Sequence, residues 1–117
     1  MEIGSVVTET RRQDPRYDSK LDFSIKSPGD GLLSAQSVNV SARGLSCITS
    51  DAIPTMSKLN VQMELPFSNG AKEKFECTGV VVRSEKLDDG RFNVAIYFLE
   101  ISEAMQGVVE RYLAELA

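Results

Sequence analysis

The segment Ser37–Ser46, with the sequence SVNVSARGLS, organises the rest of the chain. Its first half alternates apolar and polar residues, and successive side chains of a β-strand point to opposite faces of the sheet. The pattern predicts a strand with Val38 and Val40 on one face and Asn39 and Ser41 on the other. The chain is then predicted to turn and to resume as a second strand.

The turn is predicted at Ala42-Arg43-Gly44, because glycine permits the tight turns and close backbone approach that such a connection needs. An amide, a hydroxyl, a guanidinium group and bare backbone then lie within one short stretch. This group of functions suits a polar ligand. It equally suits an ordinary turn closed by local side-chain hydrogen bonds, and the segment alone leaves both interpretations open.

The composition indicates one globular domain. A chain of 117 residues with 42% hydrophobic and 26% charged residues can build one hydrophobic core. The formal net charge of −4 argues against an extended surface for DNA, RNA or an anionic membrane. No apolar run approaches the roughly 18 residues of a membrane-spanning helix. We therefore expect a cytoplasmic protein without membrane insertion.

Several classes of catalytic and metal site are excluded by the residue types present. The chain has no histidine, which removes histidine bases, Ser-His-Asp triads and histidine metal ligands. Cys47 and Cys77 lie far apart and form no CxxC motif, so buried reduced thiols are expected. The carboxylates are scattered, and no glycine-rich phosphate loop is present. We therefore expect no enzyme, no metal site and no cofactor.

Turn signals divide the chain into about six strands with no helix between them. The strands are predicted from their alternating patterns at Leu21–Lys26, Leu32–Ser41, Leu45–Ile48, Leu59–Leu65, Phe75–Ser84 and Phe92–Phe98. This spacing favours an antiparallel barrel or sandwich. The valine run at residues 80–82 indicates either burial on both faces or a twist or bulge near Gly79.

The pattern changes to a helical period after Ile101. Apolar residues spaced three and four apart predict one buried helix face, formed by Met105, Val108, Val109, Tyr112, Leu113 and Leu116. Ser102 is the predicted N-cap. We expect this helix to cover the open end or side of the barrel, with a partner-binding or dimerising helix as the alternative.

Residues 1–19 are mostly polar and show no sustained period, which predicts a flexible arm. Within it, Arg11, Arg12 and Arg16 place three guanidinium groups in six residues. Guanidinium groups bind phosphate in bidentate fashion and stack on aromatic bases. From the arm alone, a basic tail neutralised by its own carboxylates is the favoured interpretation.

Two motifs taken together resemble those of the PilZ domain family, which carries an RxxxR segment near the N-terminus and a [D/N]xSxxG segment further along. They occur here as Arg12–Arg16 (RQDPR) and Asn39–Gly44 (NVSARG). The segments Gly79–Arg83 and Val94–Leu99 are similar to the family's last strands. The resemblance covers residues 11–115, which is nearly the whole chain.

The resemblance implies a six-stranded antiparallel β-barrel with a C-terminal helix at residues 20–117, preceded by the arm at residues 1–19. It also implies a bacterial receptor for cyclic di-GMP that changes conformation when the arm closes over the ligand. Such a receptor would signal through a protein partner that the sequence does not identify. The ligand carries two phosphates and two guanines.

The resemblance also implies a set of ligand contacts, namely Arg11, Arg12, Arg16, Asn39, Ser41, Arg43 and Gly44. The arginines would pair with phosphate or guanine or stack on a guanine face. Asn39 and Ser41 would bond guanine edges or phosphate oxygens, and Gly44 would leave room for the ligand. Arg43 is equally well interpreted as an exposed turn residue. Ala95 replaces a glycine frequent in the family, a departure that concerns packing more than binding.

Two other functions compete with this receptor. The first is a PilZ-fold protein-interaction module that does not bind the nucleotide, against which the two intact motifs weigh. The second is a small barrel that binds single-stranded RNA, against which the acidic charge weighs. The eight aromatic residues, five Phe and three Tyr, also give little support to a stacking groove.

Overall fold

Seven strands and one helix make up the part of the chain that the computed structural model describes, residues 15–27 and 31–117. They are β1 (Tyr17–Asp18), β2 (Asp22–Ser27), β3 (Gly31–Val40), β4 (Gly44–Thr49), β5 (Lys58–Pro66), β6 (Lys72–Lys86), β7 (Phe92–Glu100) and α1 (Glu103–Leu116). Six strands form a closed antiparallel barrel in the order β3-β2-β5-β6-β7-β4, because β4 pairs again with β3. The predicted six-stranded barrel with a C-terminal helix is confirmed.

The barrel interior is filled by the apolar positions of the alternating strands. In β5, Leu59, Val61, Met63 and Leu65 are each no more than 5% exposed, whereas the residues between them face outwards. This period of two is the reason that the sequence pattern predicted the strands correctly. The outer face remains available for binding.

A bulge in β3 changes which residues face the interior. Its register against β4 shifts between Ser37 and Asn39, so that Val38 is the additional residue. An extra residue interrupts the alternation of faces. Val38 is therefore 38% exposed, while Val40 is 1% exposed. The prediction that these two valines share a face is wrong, because it assumed an unbroken ladder of strand pairs.

The pairing of β6 with β7 also contains bulges, close to the valine run of the sequence. The register shifts between Thr78 and Gly79, where Leu99 of β7 is the additional residue. It shifts again between Val81 and Arg83, where Val82 of β6 is the additional residue. The predicted bulge near Gly79 is confirmed. The run is not buried on both faces, since Val81 is 0% exposed but Val82 is 54% exposed. The second bulge thus places an aliphatic side chain on the outer surface.

Helix α1 begins after the predicted cap, Ser102, whose Oγ accepts a hydrogen bond of 3.2 Å from the Met105 N–H. Its buried face comprises Val108, Val109, Tyr112 and Leu113, whereas Leu116, which was predicted on this face, is 37% exposed at the end of the helix. On its exposed side, Arg111 binds both carboxylate oxygens of Glu73 in β6 at 2.8 Å. The helix therefore lies against the β5–β6 hairpin. Among the described residues, no helix is long and apolar enough to cross a membrane.

The described chain begins within the segment predicted as an arm. Strand β1 pairs Tyr17 with Val40 and Asp18 with Asn39, so the end of this segment lies beside β3. Arg11 and Arg12 lie outside the described residues. The division between arm and barrel at residue 19 stays a prediction.

Candidate functional site

A cleft of about 380 Å³ lies on the outer face of the barrel, where the β3–β4 turn meets β6 and β7. Its lining combines two arginines with small, apolar and aromatic residues. The lining residues are Arg16, Arg43, Ser41, Gly44, Ala95, Val82, Ile96 and Tyr97. Its volume falls in the range of about 300–1,000 Å³ that is usual for small-molecule sites. The fold therefore brings Arg16 together with the turn that follows β3, as the two motifs required.

Arg16 is held at the edge of this cleft by the asparagine of the second motif. Its Nη1 donates a hydrogen bond of 2.8 Å to Asn39 Oδ1. Antiparallel pairing of β1 with β3 places Asp18 opposite Asn39 and so brings Arg16 close to it. Because the partner is a neutral amide, the hydrogen bond orients the guanidinium without neutralising it. Within residues 15–27 and 31–117, Arg16 forms no ion pair with a carboxylate.

Ser41 closes the turn between β3 and β4 through its own hydrogen bonds. Its Oγ donates to the Gly44 carbonyl at 3.1 Å and accepts from the Arg43 N–H at 3.3 Å. Its backbone N–H donates to the same carbonyl at 2.8 Å. Ser41 is 3% exposed. The hydroxyl therefore shapes the turn, which is the local role that the sequence had left open.

Gly44 is required by the barrel itself. It is the first residue of β4 and pairs with Tyr97 of β7. A Cβ atom at this position would collide with the backbone oxygen of Ile96. The sequence argument expected this glycine to leave room for a ligand, but the structure shows a close approach of two strands, which only glycine permits.

Arg43 is exposed at the tip of the turn, and its backbone is fixed to the neighbouring strand. Its carbonyl accepts a hydrogen bond of 2.8 Å from the Phe98 N–H in β7. This bond ties the turn to the strand that carries Tyr97. Two predicted cationic residues, Arg16 and Arg43, thus line the same cleft.

Tyr97 and Val82 line the cleft but were not predicted as site residues. They are 41% and 54% exposed, so both offer apolar surface to a ligand. Tyr97 stands on the outer face of β7 in line with Asn93 and Ala95. An aromatic residue at an outward strand position was the signal available in the sequence. Val82 gave no such signal, because its exposure depends on the bulge.

Two wider depressions lie elsewhere on the outer face. Their volumes are about 580 and 590 Å³, and both are lined by Gln36, Ile48 and Arg91. Arg91 is neutralised there by Asp89, which it contacts through Nη2 at 2.8 Å. We therefore prefer the smaller cleft as the candidate site, since Arg16 belongs to the RxxxR motif and Arg43 lies within the segment of the second motif.

The two cysteine thiols are buried in the barrel and do not line the candidate cleft. Burial raises the pKa of the Cys47 thiol to about 12. Burial, and then the charge of Glu76, raises the pKa of Cys77 to about 12. Both thiols therefore stay protonated and unreactive near neutral pH. In the described ranges, no cluster of three or more Cys, Asp or Glu side chains could hold a metal ion.

The cleft combines the groups that recognise an anionic molecule carrying flat rings. The guanidinium of Arg16 has further N–H donors beyond the one used on Asn39, and they can bind phosphate oxygens. The exposed ring of Tyr97 can stack on a base, and Val82 adds apolar contact. The arrangement is thus suited to binding a nucleotide.

Comparison with solved structures shows the same fold in two other proteins. The structure of Bacillus subtilis inhibitor of motility, MotI/DgrA, matches with a TM-score of 0.74 and 23% identity over 92% of this chain. This chain spans 54% of that one, about half its length. The PilZ domain with c-di-GMP of YcgR from Escherichia coli matches with a TM-score of 0.67 and 14% identity, covering 91% of both chains. At these identities, the likeness establishes the fold.

Sequence comparison identifies the family. No curated protein matches the chain. The sequence model of the PilZ domain, however, matches residues 10–115 and so includes both motifs and the helix. This chain therefore belongs to the PilZ domain family.

Proposed function

We propose that this chain is a receptor for cyclic di-GMP that changes conformation on binding and signals through a protein partner. The observation that carries the proposal is that Arg16, oriented by Asn39, lines one cleft together with Arg43 and Tyr97. Membership of the PilZ family and the c-di-GMP present in the YcgR structure support this choice of ligand.

The ligand's chemistry matches these side chains. Its phosphates would accept hydrogen bonds from Arg16 and Arg43, and charge-assisted bonds of this kind are roughly twice as strong as neutral ones. A guanine would stack on Tyr97 or on a guanidinium plane. Arg12 of the RxxxR motif, assisted by its neighbour Arg11, would complete the cationic set from the arm of residues 1–19.

The asparagine, serine and glycine of the second motif would act mainly by shaping the site. Asn39 orients Arg16, and its remaining polar atoms are available to a guanine edge. Ser41 and Gly44 support the turn that carries Arg43. Their loss would weaken binding through the geometry of the turn, even where they do not contact the ligand.

The proposed activity is binding, and its output is a change of conformation rather than a reaction. The part of the arm that precedes Pro15 would close over the ligand, and the altered surface would be recognised by the partner. We place this activity in the bacterial cytoplasm. The two free, buried thiols are compatible with such a reducing compartment.

Calorimetric titration with cyclic di-GMP tests the proposal. We expect saturable binding by the wild type and at least about a tenfold loss of affinity in Arg12→Ala, since a bond between charged groups is removed. Cyclic di-AMP serves as the control ligand, because it keeps both phosphates but lacks the guanine edges. If a wild type that unfolds in a cooperative thermal transition gives no heat of binding, the receptor proposal is overturned. The protein-interaction module then remains as the proposed function.

The role of Tyr97 is tested by a matched pair of variants. Tyr97→Phe keeps the ring and is expected to keep the affinity, whereas Tyr97→Ala removes it and is expected to reduce affinity about tenfold, in line with the usual worth of stacking on one base. Equal affinity in both variants would exclude stacking on Tyr97.

A further inference from the structure

The short segment Pro15–Ser19 contacts both the candidate cleft and helix α1. At one end, Arg16 lines the cleft and donates to Asn39 at 2.8 Å. Beside it, Tyr17 lines a groove of about 200 Å³ together with Leu113 and other residues of the last turns of α1. A single stretch of backbone therefore connects the proposed ligand site to the C-terminal helix.

A buried hydrogen bond fixes the other end of this segment. Ser19 Oγ and the Tyr112 hydroxyl lie 2.7 Å apart, and the two residues are 7% and 4% exposed. The Ser19 carbonyl accepts from the Ser37 hydroxyl, and its N–H donates to the Val38 carbonyl at 3.0 Å. Ser19 is thus held by the helix on one side and by the bulged part of β3 on the other.

We propose that Tyr112 and Ser19 are positioning residues of the cleft, which hold the Pro15–Ser19 segment so that Arg16 faces the ligand. The inference rests on the proposed function. Ser19 follows Arg16 by three residues, a span of roughly 10 Å when extended. Fixing Ser19 therefore limits where the Arg16 backbone can go, and a group that is ordered before binding loses less freedom when the ligand arrives.

The same contacts predict coupling in the opposite direction. If docking of α1 favours ligand binding, ligand binding must favour docking of α1 by the same factor. Arg16 can bind Asn39 and the ligand at the same time, because its guanidinium has N–H donors besides the one that binds Asn39. The segment therefore need not leave the helix for the ligand to bind, and the coupling is positive.

The helix offers a matched control on its other side. Arg111, next to Tyr112 in sequence, binds Glu73 of β6 at 2.8 Å and makes no described bond to the Pro15–Ser19 segment. Glu73→Gln weakens the attachment of the same helix without removing a contact to Ser19. A general loosening of α1 and a specific loss of positioning can therefore be separated.

The first experiment measures cyclic di-GMP affinity in the full chain. Tyr112→Phe and Ser19→Ala are each expected to weaken binding about fivefold, the lower end of usual coupling between sites. The double variant is expected to lose no more than either single one, because both remove one shared bond. Glu73→Gln is expected to bind like the wild type. Wild-type affinity in both Tyr112→Phe and Ser19→Ala would overturn the proposal.

The second experiment measures amide hydrogen exchange. Saturating ligand is expected to slow exchange at Val108–Leu113 in the wild type. Without ligand, exchange at Arg16–Ser19 is expected to be faster in Tyr112→Phe than in the wild type and unchanged in Glu73→Gln. The comparison without ligand tests the positioning role independently of binding. If the wild type binds no cyclic di-GMP, the proposed function is overturned, but the positioning role can still be decided. Unchanged exchange at Arg16–Ser19 in Tyr112→Phe would overturn the positioning role.

Discussion

Two turns of this barrel carry an arginine, and a different depression of the outer face lies beside each of them. The β6–β7 turn carries Arg91, which binds Asp89 of the same turn through Nε at 2.9 Å and Nη2 at 2.8 Å. The β3–β4 turn carries Arg43 and lies beside Arg16, whose partner is the neutral amide of Asn39. The larger depressions lie beside Arg91, and the smaller cleft lies beside Arg16 and Arg43.

The difference suggests a criterion for choosing an anion-binding site: whether the arginines beside a depression are paired with carboxylates matters more than the volume of the depression. A carboxylate within 3 Å cancels most of the field that an arginine presents to a ligand. An amide fixes the guanidinium in place and leaves its charge intact. Within the described residues, the charge of Arg16 is therefore not offset by a carboxylate, in a protein whose net charge is −4.

The largest effect is expected from the glycines of these two turns. Gly44→Ala should lower the free energy of unfolding by about 3 kcal/mol, because the new Cβ meets the Ile96 backbone oxygen, which cannot move aside easily. Gly90→Ala should cost only about 1 kcal/mol, since Gly90 has a φ of 89° but open space around it. Urea unfolding of both variants measures the difference. Equal losses would show that the β4–β7 approach is less restrictive than the structure indicates.

An intermediate effect is expected from the two arginines. Arg16→Gln should reduce cyclic di-GMP affinity about 10- to 100-fold, because it removes charge-assisted hydrogen bonds to the ligand. Arg91→Gln removes a cation of similar exposure and should leave the affinity unchanged. Calorimetric titration of the pair gives the comparison directly. A larger loss in Arg91→Gln would move the site to the wider depressions.

The smallest effect is expected from the pH dependence of the Arg91 turn. Hydrogen bonds from the Arg91 side chain and backbone hold the pKa of Asp89 below its ordinary value of 3.8. A lowered pKa stabilises the folded state above pH 3.8, and this contribution is lost as the pH falls through the folded-state pKa. An NMR titration should give an Asp89 midpoint below 3.8 in the wild type and nearer that value in Arg91→Gln. The same midpoint in both proteins would show that the ion pair does not form in solution.

Most of the fold was predictable because it rests on local patterns. The alternation in β5 and the helical period of α1 both appear in the structure at nearly the predicted residues. The bulge at Val38 was not predictable, because an alternating sequence is compatible with both a regular and a shifted ladder. Register is decided by the neighbouring strand, which lies elsewhere in the sequence.

The candidate site was predictable in part. The two motif segments contain Arg16, Asn39, Ser41, Arg43 and Gly44, and the structure places these residues close together, while their contact with a ligand stays a prediction. Their individual roles could not be predicted from the sequence. Ser41 bonds the backbone of the turn, and Gly44 allows the close approach of two strands. Val82 could not have been assigned to the cleft, because a bulge turned it outwards.

The sequence by itself determined the strand-rich architecture, the capped helix, the absence of histidine chemistry and the motifs that mark the family. These depend on residue types and on spacings within one element, where side-chain direction follows directly from backbone period. Tertiary structure alone decided that Arg16 is oriented by Asn39, 23 residues away, and that Ser19 is joined to Tyr112, 93 residues away. Closure of the barrel and docking of α1 bring these distant residues within hydrogen-bonding distance, and no local pattern encodes such a distance.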